Sequence, residues 1–300
     1  MRPIFRTAAD WLETNRPFAM ATLTALSGAR PAPLGTSVAV ALDGEVAGNI
    51  GAGCHEVAIV EAAIRCARDG NVRRLELTLD GDELFGGTSC GSEMKVIVWR
   101  PDRSFAADAR AITHGVRPVY LRIANFDYLI APKERLVIVG ATTLAQELAC
   151  IAGRIDFFTT VVDPRTAFAT HARLPDAAEI VRCWPDDVLP GLLTARTALA
   201  VLSHDPKLDL PALRCALRSP ARYVGLLGSR NAQAARRNTL ACEGFDARAL
   251  ARIRGPIGLD IGAQSEAEIA LAILAEITAL RAGRSGNALV ATHGTIHARD

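Results

Sequence analysis

Two cysteines stand on glycine-rich segments, and their surroundings suggest what the thiols can do. Gly48-Asn-Ile-Gly-Ala-Gly-Cys-His-Glu56 runs straight into an apolar-periodic stretch, so Cys54 is expected at a helix N-terminus. Unpaired amides and the helix macrodipole favour a thiolate there, while the carboxylate of Glu56 opposes it. Cys90 lies in Gly86-Gly-Thr-Ser-Cys-Gly91, a second small-residue loop. Thiolates at Cys54 and Cys90, framed by Gly51, Gly53 and Gly91, suit a soft metal or a sulfur-bearing group. The same residues also read as small side chains filling tight turns, and spacing alone does not separate the two readings. Cys66, Cys150, Cys215 and Cys242 fall within helical stretches and read as core or half-buried fillers. His293 and His297 have a zinc-like spacing, but Gly294 and Thr295 intervene, and the pair reads as solvated.

A second set of residues follows four apolar runs. Gly140-Ala-Thr-Thr-Leu-Ala145 approaches the dinucleotide fingerprint, with Thr142 where its second glycine would stand. Asp163 comes 23 residues after Gly140, the place of a ribose-binding carboxylate, and Arg165 could meet a phosphate instead. Ser203-His204-Asp205 offers an imidazole for acid–base work, or plain turn chemistry before Pro206. Gly228-Ser229-Arg230 opens a helix, with Ser229 as its cap and Arg230 beside free amides able to hold an anion.

The elements that must position these residues fall into two halves. In the first, Phe18–Leu26, Ser37–Ala41 and Met94–Trp99 read as strands, and Glu56–Asp69 as a helix. After Pro132 strand and helix alternate. Arg135–Val139, Phe157–Val162, Glu179–Trp184, Thr197–Ser203 and Arg222–Leu227 are expected strands, and Leu208–Leu217, Asn231–Cys242 and Ser265–Arg281 expected helices. Such alternation requires right-handed crossovers and a parallel sheet. The expected class is therefore α/β: a small N-terminal α/β domain over residues 1–100, followed by a Rossmann-like doubly wound parallel-sheet domain over 135–282. Residues 101–134 read as a linker with local structure near 116–123, and 283–300 as a flexible tail.

Composition narrows the partners. In 300 residues, 34 Lys plus Arg against 32 Asp plus Glu leave a net charge of +2, with no basic block, which argues against nucleic acid. No apolar run reaches the roughly 18 residues of a membrane span, and no secretory signal opens the chain. Seven cysteines without a Cys-x-x-Cys pair suggest reduced thiols in a cytoplasm.

The motifs together resemble the XdhC/CoxI family of maturation factors for molybdenum hydroxylases such as xanthine dehydrogenase. The resemblance runs from about Trp11 to Arg281 and rests on the segments 48–56 and 89–91, then Val161-Val-Asp-Pro-Arg165 and Ser203-His-Asp205. It continues through Tyr223-Val-Gly-Leu-Leu-Gly-Ser-Arg230, Pro256-Ile-Gly-Leu-Asp-Ile-Gly262 and the block 266–276. It implies a cytoplasmic homodimer that binds the molybdopterin cofactor and protects its sulfurated form. Such a protein receives sulfur through a cysteine desulfurase and delivers the cofactor to an apo molybdenum hydroxylase, as a chaperone more than a catalyst. It also implies that Cys54 and Cys90 contact the molybdenum. Three positions depart from the family pattern: Ala32 between two prolines where an arginine is usual, Ser92 after Cys90-Gly91, and Thr142-Thr143 in place of Gly-His. Two other readings remain open, an NAD(P)-dependent oxidoreductase and an adaptor paralogue without cofactor binding.

Overall fold

A computed structural model describes residues 2–27, 33–51, 55–79, 92–115 and 117–293. The chain forms two compact units, one up to Pro132 and one from Lys133.

The first unit is built on β1 (Phe18–Leu26), β2 (Ser37–Ala41), β3 (Val46–Gly48), β4 (Arg73–Leu79) and β5 (Ser92–Trp99), antiparallel in the order β3-β2-β1-β5-β4. The two-residue period of a strand splits its apolar side chains between two layers. Ala19, Ala21 and Leu23 of β1 pack with Ile59, Ala63 and Cys66 of α2 (Glu56–Asp69). Phe18 and Met20, on the other face, pack with α1 (Pro3–Glu13) and α3 (Phe105–His114). Met20 and Leu23 are fully buried, and cutting either to Ala costs about 2–5 kcal/mol.

The stretch expected to be a linker is folded. It carries α3 and the hairpin of β6 (Val119–Ile123) and β7 (Phe126–Ile130). Phe105, Ile112, Val119, Ile123 and Ile130 belong to the core that holds Phe5 and Trp11 of α1. Trp99 and Phe5 both meet the ring of Phe105 edge-on. Every second residue of β6 is exposed, which weakens its apolar signal in sequence.

The second unit has six parallel strands in the order β10-β9-β8-β11-β12-β13. They are β8 (Glu134–Val139), β9 (Phe157–Val162), β10 (Glu179–Val181), β11 (Thr197–Val201), β12 (Tyr223–Leu226) and the short β13 (Ile253–Arg254), the last not anticipated from sequence. Numbered within the unit, this is the 3-2-1-4-5-6 order of the Rossmann fold. Leu136 and Ile138 of β8 face the layer of α4 (Thr143–Arg154) and α9 (Glu266–Arg281). Val137 and Val139 face α5 (Pro185–Leu192) and α6 (Pro206–Leu217). Two further helices, α7 (Arg230–Cys242) and α8 (Ala247–Ala251), separate β12 from β13. Past α9, residues 283–293 hold a three-residue 3-10 turn at Leu289–Ala291. Cys242 is exposed at the end of its helix, so it is not the core filler expected of it, whereas Cys66 is buried and burial pushes its thiol pKa up. Among the described residues no helix is long and apolar enough to cross a membrane.

Candidate functional site

Gly53, Cys54, Cys90 and Gly91 lie outside the described residues, but their flanks are defined. Gly51 takes a left-handed φ of +73°, and its N–H donates to the side-chain oxygen of Asn49. α2 begins immediately after His55, and among the described residues no side chain caps its first amides. The His55 Nε2 lies 2.9 Å from the Thr78 carbonyl oxygen near the end of β4. Leu79 and Ser92 are register partners in β4 and β5. One hydrogen bond thus joins His55, the residue after Cys54, to Thr78 near the end of β4, the strand that precedes the segment of Cys90.

In the second unit, β8 and β11 are neighbours whose connections run to opposite sides, so the switch point lies beyond their carboxyl ends. Gly140 sits there with φ +105°, and a Cβ on it would fall 2.8 Å from the Ser203 Cα. Only glycine allows this approach of the two strand ends. Thr142 has an extended backbone, φ −97°, so no glycine is required of it; its hydroxyl caps α4 by accepting from the Ala145 N–H at 3.1 Å.

Asp163 does not present a carboxylate to a ribose. It is fully buried, and its oxygens accept from the Ala141 N–H at 2.7 Å, from the Arg165 N–H at 2.9 Å and from Arg165 Nε and Nη2 at 2.9 and 2.7 Å. Burial pushes its pKa up, but the Arg165 guanidinium and the two amides outweigh that and leave the carboxyl below its usual range. Arg165, which sequence offers as the alternative partner for a phosphate, is the group held by Asp163.

Beyond β11, Asp205 caps α6 by accepting from the Lys207 N–H at 2.9 Å. His204 is exposed on a left-handed backbone, φ +58°, and its ring has no hydrogen bond among the described residues. The buried groups here carry no signal in sequence. Asp209 accepts from the Ser203 hydroxyl at 2.5 Å and pairs with Arg236 of α7 at 2.5 Å, which braces the switch-point loop from below. Ser229 caps α7 by accepting from the Ala232 N–H at 3.3 Å, and Arg230 is exposed beside it. β11 lies between β8 and β12, so Gly140 and Gly228 stand two strand spacings apart, about 10 Å.

Two further residues escape sequence reasoning. After β9 the chain makes successive turns anchored by the buried Ala169 and Leu174. On their outer side the guanidinium carbons of Arg165 and Arg173 lie 4.9 and 5.1 Å from the centroid of the exposed Phe168 ring. Arg173 and Phe168 carry no motif of their own. Their one signal is placement just after the second strand of a Rossmann order.

Residues 136–277 match the family model of the XdhC Rossmann domain, and residues 11–78 match that of the XdhC and CoxI family. The chain is similar to the molybdenum cofactor insertion chaperone PaoD of Escherichia coli K12, 24% identical over 93% of this chain and 88% of PaoD. It is 26% identical to the uncharacterized protein YqeB of the same organism over 96% of this chain, and spans about half of YqeB's length, 48%. A Bacillus subtilis 168 protein named as a probable subunit of xanthine dehydrogenase is 30% identical over 51% of this chain and 44% of its own. A crystal structure of a Bacillus halodurans protein, named as a xanthine dehydrogenase, shares the fold, with a TM-score of 0.76 and 24% identity over 94% of this chain and 96% of that one.

Proposed function

The chain belongs to the XdhC and CoxI family, and on that premise we propose that it is a maturation factor that binds the molybdenum cofactor as cargo for a molybdenum hydroxylase. The single observation that carries this reading is the convergence of the flanks of Cys54 and Cys90 through His55 and Thr78. The donor set fits the cargo. Two thiols are soft ligands for molybdenum and its sulfur ligand. The amides at the start of α2, which no side chain caps among the described residues, suit the phosphate of the pterin. When bound, the cofactor supplies a molybdenum–sulfur centre, and the role of this chain is to hold it, shield it and release it. Cys54 and Cys90 would hold the metal side, and Gly51, Gly53, Gly91 and the α2 amides the pterin side. The wider reading adds protection of the sulfurated form, sulfur from a cysteine desulfurase, delivery to an apo-hydroxylase of the xanthine dehydrogenase or aldehyde oxidase type, and assembly as a homodimer. PaoD, named as a cofactor insertion chaperone and matched over most of its length, is the relative that supports it.

The test is transfer. The chain, loaded with molybdopterin cofactor, is mixed with an apo-hydroxylase, and recovered hydroxylase activity is followed. Activity rising with the loaded chain and not with the empty one supports the role. No recovery from a loaded chain counts against delivery, and a chain that takes up no cofactor favours the adaptor reading.

A second reading concerns the Rossmann unit. The glycine-only approach of Gly140 to Ser203 at the switch point favours a nucleotide beyond the strand ends. An NAD(P)-dependent oxidoreductase is a weaker reading, because Asp205 is spent on capping α6 and does not orient His204. Tryptophan quenching by NAD(P) tests nucleotide binding, and turnover of that nucleotide would be needed to make the chain an oxidoreductase.

A further inference from the structure

The loop after β9 is where a Rossmann dinucleotide turns its first ribose toward the protein. In the form that reads an unphosphorylated ribose, a carboxylate at the end of this strand accepts from the sugar hydroxyls. Here that carboxylate has no capacity left. Asp163 is buried, and its two oxygens already accept four hydrogen bonds, three of them from Arg165. The effect of those bonds is to fix a guanidinium instead. Arg165 is held through its main-chain N–H, Nε and Nη2, which leaves Nη1 without a protein partner among the described residues. Its plane is further set by Phe168, on which Arg173 also rests. The Arg173 guanidinium makes no hydrogen bond or ion pair among the described residues. Arg182 adds a third guanidinium to the same loop, its Nε donating to the Ala169 carbonyl at 2.8 Å. The Asp163 carboxylate, and with it the charge of Asp205 across the switch point, holds the Arg165 pKa above its ordinary value.

Two cations on one exposed ring, with the buried carboxylate of Asp163 already neutralised, leave a rigid, net positive surface where a ribose would lie. A fixed guanidinium with free N–H groups matches the oxygens of a phosphate monoester. We propose that Arg165, Phe168 and Arg173 select a nucleotide phosphorylated on that ribose, a 2′-phosphoadenosine dinucleotide, over its unphosphorylated counterpart. This rests on the reading that the Rossmann unit binds a nucleotide at all, and it adds which class.

The test is calorimetric titration of the full-length chain with NADPH, NADH and inorganic phosphate, repeated on Arg173→Ala and Arg173→Lys. The Arg173 side chain is exposed and its guanidinium makes no hydrogen bond or ion pair among the described residues, so its truncation should leave the fold intact, which circular dichroism checks. The expected result is tighter binding of NADPH than of NADH by roughly 10- to 100-fold. That preference collapses in Arg173→Ala, returns in part in Arg173→Lys, and the NADH affinity stays unchanged throughout. Equal binding of NADPH and NADH, or a preference unchanged in Arg173→Ala, overturns the proposal while nucleotide binding stands. Free phosphate competing as well as NADPH overturns it in favour of a simple anion site. Neither dinucleotide binding overturns both.

Discussion

His55 and Thr78 are joined by one hydrogen bond, with the imidazole Nε2 2.9 Å from the carbonyl oxygen. A carbonyl only accepts, so the bond requires the proton on Nε2. It ties the residue after Cys54 to the strand that leads toward Cys90. His55→Phe keeps a ring of similar size and removes the donor. Stability should fall by only about 0.5–1.5 kcal/mol. Retained cofactor should fall much further, because the two loops lose their common anchor. A fluorescence assay of oxidised pterin on the purified variant checks this, and cofactor content tracking the small stability loss alone would reduce His55 to a turn residue.

Asp163 links three features of the second unit: the Gly140–Ala141 turn, the end of β9 and Arg165. Asp163→Asn should destabilise the chain at pH 7 by about 2–3 kcal/mol, less than a fully buried pair because Arg165 is partly exposed. The sign with pH follows from the depressed native pKa. Stability from the carboxylate is fully present above its unfolded pKa near 3.9, and is lost as pH falls through the lower native value. Urea unfolding at pH 7 and at pH 3 should therefore show the gap between parent and variant narrowing in acid.

Glycine substitutions separate strain from crowding. Gly44 has φ +91° with open space around it, and Gly44→Ala should cost about 1–2 kcal/mol from backbone strain alone. Gly140→Ala adds a Cβ within 2.9 Å of Ser203 backbone atoms and should cost clearly more, with loss of any nucleotide affinity. Thermal unfolding of the pair checks the order.

Asp209 and Arg236 form a buried ion pair beneath the switch-point loop. Asp209→Ala leaves a buried guanidinium unpaired and should cost about 3–5 kcal/mol, whereas replacing both by apolar residues should recover most of it. A double-mutant cycle measured by denaturant unfolding supplies the coupling.

Legibility follows period and spacing. The βαβ half is readable because β8, β9 and β11 are short apolar runs between helical stretches, and α2 because its apolar face recurs at helical spacing. β13, two residues long, offers no period to detect. α3 and the β6–β7 hairpin read as linker because their core residues are separated by exposed ones such as Tyr120 and Arg122. The apolar spacing of Ile4, Phe5, Ala8, Ala9, Trp11 and Leu12 in α1 is present in the sequence, yet the sequence reading places no helix there. At the candidate site, sequence places Asp163 and Arg165 at the same strand end and offers either one to a ligand, but it does not show the two bound to each other. Two residues' separation does not say that an arginine folds back onto a buried carboxylate. The Asp209–Arg236 pair is invisible for the related reason that its partners are 27 residues apart.

The most direct measurement is the amount of molybdenum and pterin that stays with the chain when it is purified from cells that make the cofactor. Both are expected in near-equal amount to the protein, with both lost in Cys54→Ser and in Cys90→Ser at unchanged circular dichroism. A parent protein that carries neither, or a Cys54→Ser variant that carries as much as the parent, would contradict this expectation.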